Sequence, residues 1–237
     1  MKILLCFFAL CLACSATANE YDELVQSAFD AIHSDYYEDW AFTETSLEDD
    51  IEFVARFDPR RLPGERWQLL SVDARAPDAE EIASFLDEKE ERRREREKNG
   101  DDEDNNSGSM INFDTLVLIE ETNDYWLFRF VPNEDEEQDK DFMKHVTGHL
   151  RISKAGPYVE YLDLRNEKPI KPATGVKIRK FEIHISFGPA VDAGPIVVQG
   201  FDMSIEGRAM LVIKFDEHER IRYSDWEFAG DAGNGAG

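Results

Sequence analysis

The sequence has little cysteine, and all of it lies near the N-terminus. Cys6, Cys11 and Cys14 fall within the first 18 residues. The chain beyond residue 18 therefore has no thiol for a disulfide, a metal thiolate or nucleophilic catalysis. We expect that part of the chain to be stabilised by a hydrophobic core.

Basic residues are also scarce. The chain has 27 lysines and arginines against 51 aspartates and glutamates, a formal net charge of −24. Such an excess repels nucleic acid and anionic membrane surfaces at long range, because no contiguous basic patch offsets it. The composition therefore predicts no nucleic-acid partner.

Long apolar runs are missing as well. The run from Ile3 to Ala13 is shorter than the roughly 18 residues that a membrane helix needs. It follows Met1-Lys2 and precedes the small residues Ala16-Thr17-Ala18, a pattern typical of a secretory signal peptide over residues 1–18. We expect a periplasmic, soluble, monomeric protein. An outer-membrane lipoprotein attached through Cys14 is the less favoured alternative, because Cys11 occupies a position where lipoprotein signals prefer an aliphatic residue.

The common catalytic signatures are absent too. The sequence contains no G-x-S-x-G, no H-E-x-x-H, no phosphate-binding glycine loop and no dinucleotide fingerprint. His145 and His149 would lie about 13 Å apart on a strand, too far to share a metal ion. We therefore predict a protein that is not an enzyme and has no catalytic residues, cofactor or metal site; a carboxylate-dependent hydrolase is the minority alternative.

What the sequence has in abundance is alternating apolar residues. An amphipathic helix is indicated over residues 19–33, followed by about ten short segments of period two joined by turns. A second helix opens at Pro77-Asp78, where Asp78 and Glu81 fit a capping box. In the strand from Val176 to Phe187 the apolar phase switches at Arg179-Lys180, which predicts a β-bulge. The pattern indicates an α+β fold, mainly antiparallel β: a strongly curved sheet, or half-open barrel, with an N-terminal helix and a helical insertion.

Two charged segments interrupt this pattern. The single domain is expected over residues 19–230, with a charged insertion at 87–109, an acidic loop at 133–141 and a disordered tail at 231–237. Residues 88–98 contain no apolar side chain, so we expect them to form a solvated helical extension held by pairs such as Glu90 with Arg94.

The order of these elements resembles the bacterial periplasmic outer-membrane lipoprotein-carrier (LolA/LolB-like) superfamily, as a divergent branch. The resemblance rests on the layout and on aromatic-rich strands such as Trp126-Leu127-Phe128-Arg129-Phe130 and the segment from Val176 to Ile183. It implies a half-open barrel whose apolar concavity holds acyl chains under a helical lid. The partner that it implies is a lipid or a lipidated protein.

The expected lining of this concave face is a set of apolar side chains from several strands. They are Trp40, Phe42, Phe53, Trp126, Phe128, Phe130, Phe181, Ile183, Phe201 and Met203. Two interpretations stay open: the residues surround a hollow, or they fill an ordinary core. In the second case the protein is a cell-envelope structural or interaction module, whose acidic arms recruit a basic protein partner.

Overall fold

A computed structural model describes residues 18–34, 36–48, 50–99, 110–133, 140–210 and 213–230. The predicted signal peptide up to residue 17, residues 100–109 and 134–139 of the two insertions, and the tail 231–237 lie outside the described residues. The described chain forms one ten-stranded antiparallel sheet that does not close into a barrel, with a few helices. The predicted α+β fold with a curved antiparallel sheet is confirmed.

The three C-terminal strands are the longest. The strand bounds are β1 Trp40–Glu48, β2 Ile51–Phe57, β3 Trp67–Val72, β4 Val117–Glu121, β5 Tyr125–Phe130, β6 Val146–Ser153, β7 Val159–Asn166, β8 Val176–Pro189, β9 Ile196–Ala209 and β10 Ile213–Phe228. The helices are α1 Ala18–Asp30, α2 Tyr36–Asp39, α3 Ala79–Asn99 and α4 Lys140–Met143, with 3₁₀ turns at Pro63–Glu65 and Phe113–Thr115.

The sheet is a meander with one rearrangement. Its strand order is β3-β2-β1-β10-β9-β8-β7-β6-β5-β4, so every neighbour is consecutive in sequence except β1 and β10. This pairing brings the first hairpin beside the last strand, and it leaves β3 and β4 as the two edges. The long strands β8, β9 and β10 therefore lie between β1 to β3 on one side of the sheet and β4 to β7 on the other.

One register row crosses all ten strands. Directly paired residues of antiparallel strands point to the same face, so the row identifies one face of the sheet, which we call the covered face because α1 and α3 pack on it. From edge to edge the row reads Leu118, Phe128, Leu150, Leu162, Ile185, Phe201, Ile221, Ser46, Phe53, Val72. Nine of its ten members are apolar, and the tenth is Ser46.

The predicted bulge and helix cap are confirmed, and two predicted strand boundaries are corrected. The bulge predicted at Arg179-Lys180 is confirmed by a register shift between Ile178 and Lys180. Asp78 accepts from the backbone N–H groups of Glu80 and Glu81, which confirms the capping box. Three strands were expected after residue 195, but β9 and β10 account for all of them as two long strands. Phe142 was expected to begin a strand but belongs to α4, and β6 starts only at Val146.

The larger core lies under α1. Val25, Ala28 and Phe29 are buried against residues of β5 to β8, including Phe128 and Leu150. Burial of each large apolar side chain contributes about 1.5–3 kcal/mol relative to its exposure. This packing realises the amphipathic stripe that the sequence predicted.

Gly148 is essential to this core. A Cβ atom built on Gly148 would lie 2.3 Å from the ring of Phe130, the residue it pairs with on β5. The missing side chain therefore lets the Phe130 ring lie directly against the β6 backbone. Any larger residue at 148 would have to displace that ring.

α3 packs on the opposite part of the covered face, and here the expectation of a solvated extension differs from the structure. Phe85 is buried against Ala55, Leu69 and Val72. One turn later the Lys89 ammonium lies 2.6 Å from the Glu44 carboxylate of β1. The side of the helix that contacts the sheet is therefore apolar up to Phe85 and charged beyond it. The apolar pattern of the sequence indicates only the first part of this contact. The predicted pair of Glu90 with Arg94 is present at 3.1 Å.

Candidate functional site

An apolar strip lies in the middle of the covered face, between the two helices. It consists of Ile183 and Ile185 of β8 and Phe201, Met203 and Ile205 of β9, all of them partly exposed. Phe201 and Met203 belong to none of the buried clusters of the described residues. We call these five residues the open strip.

The side of the open strip toward β7 is bounded by the α1 core. Ile183, Ile185 and Ile205 pack at the margin of that core, whose buried members include Leu162 and Leu164. This boundary is apolar on both the sheet and the helix. The open strip is therefore continuous with the hydrophobic core, and it becomes accessible where the cover of α1 ends.

The side toward β1 is bounded by charge. Met203 pairs with Glu219 of β10, and Ile205 pairs with Glu217. Arg92 of α3 approaches Glu219 at 4.0 Å and Glu88 at 2.8 Å. A ligand on the open strip would therefore contact apolar side chains in the middle and charged side chains along one border.

One end of the covered face is filled by aromatic rings. Tyr36 of α2 packs against Phe42 and Trp226, and Phe42 stacks on Phe57 with ring centroids 5.1 Å apart. Tyr223 lies in the same cluster, and its burial, with Tyr37 and Tyr36 nearby, raises the pKa of its phenol well above the ordinary value. This end is solid core, so an elongated ligand would have to enter from elsewhere.

The border under α3 has perturbed electrostatics. Burial, reinforced by the nearby carboxylates of Glu88 and Glu219, raises the pKa of Glu48 above its ordinary value. Arg92 and Lys89 act in the opposite direction but do not cancel the effect. Glu48 is thus held in a place that favours its neutral form or a cationic neighbour.

The ten predicted lining residues divide into two groups. Trp40, Phe42, Phe128, Phe130 and Phe181 are buried in packed clusters. Phe53, Trp126, Ile183, Phe201 and Met203 are partly exposed. Within the second group, only Ile183, Phe201 and Met203 meet on the open strip. Sequence alternation places these residues on one face, but it does not show which of them a helix covers.

A cavity of about 260 Å³ lies elsewhere, between α3 and strands β1 to β3. Of the predicted lining residues, Phe53 alone takes part in it. The other members include Ser46, Glu48, Phe85 and Glu88. Ser46 and Glu48 are two positions apart on β1, and Phe85 and Glu88 are three apart on α3, so each pair lies on the inward face of its element. Because most of these residues are polar, the apolar pattern of the sequence does not indicate this cavity.

A polar group that the sequence did not predict lies across β9 and β10. Donor atoms of Glu206, Asp216 and His218 lie within 4.8 Å of one another, and the last two side chains are exposed. His149 stands apart on β6, where burial and the charge of Arg165 lower its pKa. His145 precedes that strand, so the expectation that both histidines lie on one strand is wrong.

Comparisons with protein-family models, with curated proteins and with solved structures each found no match for this chain. Within the described residues, no helix is both long enough and apolar enough to cross a membrane. The covered face is therefore the feature of the molecule from which a function can be inferred.

Proposed function

We propose that this protein is exported to the periplasm and binds one acyl chain, of a lipid or of a lipidated protein, along the open strip. The observation that supports the proposal is the partial exposure of Phe201 and Met203 in the middle of a face whose two ends are covered by helices. Apolar side chains in the centre of a large sheet are ordinarily buried. Their exposure between two helices leaves room for an apolar occupant.

The energetics need no covalent chemistry. Each methylene moved from water to an apolar surface contributes about 0.8 kcal/mol, so a chain of about ten methylenes that is largely covered offsets the loss of translational freedom. The charged border formed by Glu217, Glu219 and Arg92 would remain at the edge of the ligand, where a polar headgroup or the peptide of a lipidated protein stays in water.

The test is a titration with cis-parinaric acid, a fluorescent fatty acid, together with mass spectrometry of organic extracts from natively purified protein. We expect saturable binding by the wild type and its loss in Met203→Asp, because that change places a carboxylate on the open strip. Leu70→Asp is the matched control, since Leu70 is exposed on the edge strand β3, away from the open strip.

A competition experiment then tests whether the acyl chain alone is recognised. A palmitoylated peptide that competes with cis-parinaric acid, while its unmodified form does not, would indicate recognition of the acyl chain itself. An absence of saturable binding to either probe would contradict the proposal. The remaining candidate would then be the envelope interaction module, which the net charge of −24 favours through attraction of a basic partner.

A further inference from the structure

The cavity beneath α3 is a second candidate site, separate from the open strip. Its floor is formed by Ser46 and Glu48 of β1 and Phe53 of β2, and its roof by Phe85 and Glu88 of α3. The pairings of Ser46 with Ile221 and of Ile221 with Phe201 place β10 between this floor and the strip. The inference is therefore independent of the proposed function.

Ser46 is the one polar member of the register row that crosses the sheet. The residue is 6% exposed, and its hydroxyl forms no hydrogen bond with any other residue in the described part of the chain. A polar side chain this buried normally has a hydrogen-bond partner. The Ser46 hydroxyl is not among the fully enclosed polar atoms that lack a partner in the described residues, so it is open to the cavity that Ser46 lines, where an occupant can bond to it.

The charge in the cavity is unbalanced. Glu48 forms no ion pair within 4.0 Å with the described residues, and Glu88 shares the Arg92 guanidinium with Glu219. At the other end Arg75 is already engaged by Glu81. The cavity therefore presents negative charge that the surrounding basic side chains do not neutralise.

The same wall already binds one ammonium group of the chain. Lys89 Nζ lies 4.6 Å from the ring centroid of Trp67 and 5.2 Å from that of Phe85, and it pairs with Glu44 at 2.6 Å. Aromatic rings beside a carboxylate are a favourable environment for an organic cation. Phe85 lines the cavity as well, and Phe53 contributes a second ring next to Glu48.

The arrangement does not suit a metal ion. Calcium takes six to eight oxygen ligands at about 2.3–2.6 Å. Among the described residues, the acidic and histidine side chains whose donor atoms converge as a group of three within 4.8 Å are Glu206, Asp216 and His218, outside the cavity. The cavity carboxylates are spread around a larger space, which fits a polyatomic cation.

We propose that this cavity binds a primary alkylammonium ion. The carboxylate of Glu48 is its counter-ion, the Ser46 hydroxyl accepts a hydrogen bond from the ammonium group, and the rings of Phe53 and Phe85 contact the charged end and its first methylenes. We assign only the class of ligand, because the cavity determines the charge and the approximate size of its occupant.

The test is isothermal titration calorimetry of the full protein with putrescine, at near-neutral pH and about 150 mM salt. We expect one saturable site, at least tenfold weaker binding in Glu48→Gln, and no saturable binding of the neutral analogue 1,4-butanediol. Glu91→Gln is the matched control, because it removes one negative charge from an exposed position of the same helix. Its affinity should stay within about twofold of the wild type.

A second measurement does not depend on the variant. Backbone amide shifts of the wild type on addition of putrescine should concentrate at residues 46–48 and 84–88. No saturable binding, equal weakening by Glu48→Gln and Glu91→Gln, equal binding of 1,4-butanediol, or shifts spread over the acidic surface would each overturn the proposal.

Discussion

The two long helices bind the same face of the same sheet by different means. α1 buries Val25, Ala28 and Phe29 in a large apolar core. α3 buries one aromatic ring, Phe85, in a small core and continues with the buried pair of Lys89 and Glu44. The first contact is apolar and nondirectional, and the second depends on matched charges and leaves a cavity.

The difference shows how a helix with few apolar residues can still be docked. Phe85, Lys89 and Arg92 follow a spacing of four and three, so they form one stripe along α3. Each reaches a different part of the sheet: the β2–β3 region, Glu44 of β1 and Glu219 of β10. Charged residues thus continue the stripe that the apolar ones begin.

The largest effect is expected at the charged contact. Lys89→Ala would leave the Glu44 carboxylate, 4% exposed, without its ammonium partner. We expect the free energy of unfolding to fall by about 3–5 kcal/mol, because an unpaired buried charge is costly. The measurement is urea denaturation followed by circular dichroism.

The double variant Glu44→Gln with Lys89→Met is the control for this prediction. It removes both charges while keeping similar volumes, so it should recover most of the lost stability. A neutral effect of Lys89→Ala alone would mean that α3 is not fixed by this pair.

A similar loss is expected on the α1 side, for a different reason. Leu150→Ala would open a cavity in the fully buried centre of the core, and about 3 kcal/mol of stability should be lost. Leu70→Ala is the matched control, since Leu70 is 44% exposed on β3, and it should change stability by less than about 0.5 kcal/mol. Chemical denaturation of the two variants side by side checks the difference, and equal losses would contradict the assigned core.

A smaller and more local effect is expected at the start of α3. Asp78→Ala removes the acceptor for the N–H groups of Glu80 and Glu81, and should cost about 1 kcal/mol. Hydrogen exchange should become faster in the first turns of α3 and stay unchanged in α1. Asp78→Ser retains an acceptor and should behave like the wild type; uniform acceleration in both helices would argue against a local cap.

The smallest effect concerns Glu48 and depends on pH. Since its pKa is raised in the folded state, the folded protein binds this proton more tightly than the unfolded chain does. The associated stability is present at low pH and is lost as pH rises through the folded pKa. Glu48→Gln should therefore raise the melting temperature at pH 7, and the gain should shrink as the pH falls toward 4.

Partial exposure of Glu48 keeps this gain below about 1 kcal/mol. Thermal melts of the wild type, Glu48→Gln and Glu91→Gln between pH 4 and 8 measure it. The Glu91 variant should show no pH-dependent difference from the wild type. A gain for Glu48→Gln that stays constant over this range would disprove the assigned origin.

Much of the fold could be predicted because its signals are local. The period-two pattern predicted the curved antiparallel sheet, the phase switch at Arg179-Lys180 predicted the bulge, and Asp78 with Glu81 predicted the start of α3. The candidate sites were harder to predict. Phe128 and Phe201 look alike in sequence and share one register row, yet the first is fully buried and the second is partly exposed. Their difference depends on where α1 lies, which no local pattern contains.

The sequence by itself determined which residues of the long strands share a face and where α1 and α3 begin, because both depend on neighbours a few positions away. The tertiary structure alone decided that β1 pairs with β10, that Lys89 of the charged segment meets Glu44, and that Ser46 and Glu48 line a cavity. Those outcomes depend on residues that lie far apart in the chain until the sheet is assembled, so their chemistry is not encoded in any one segment.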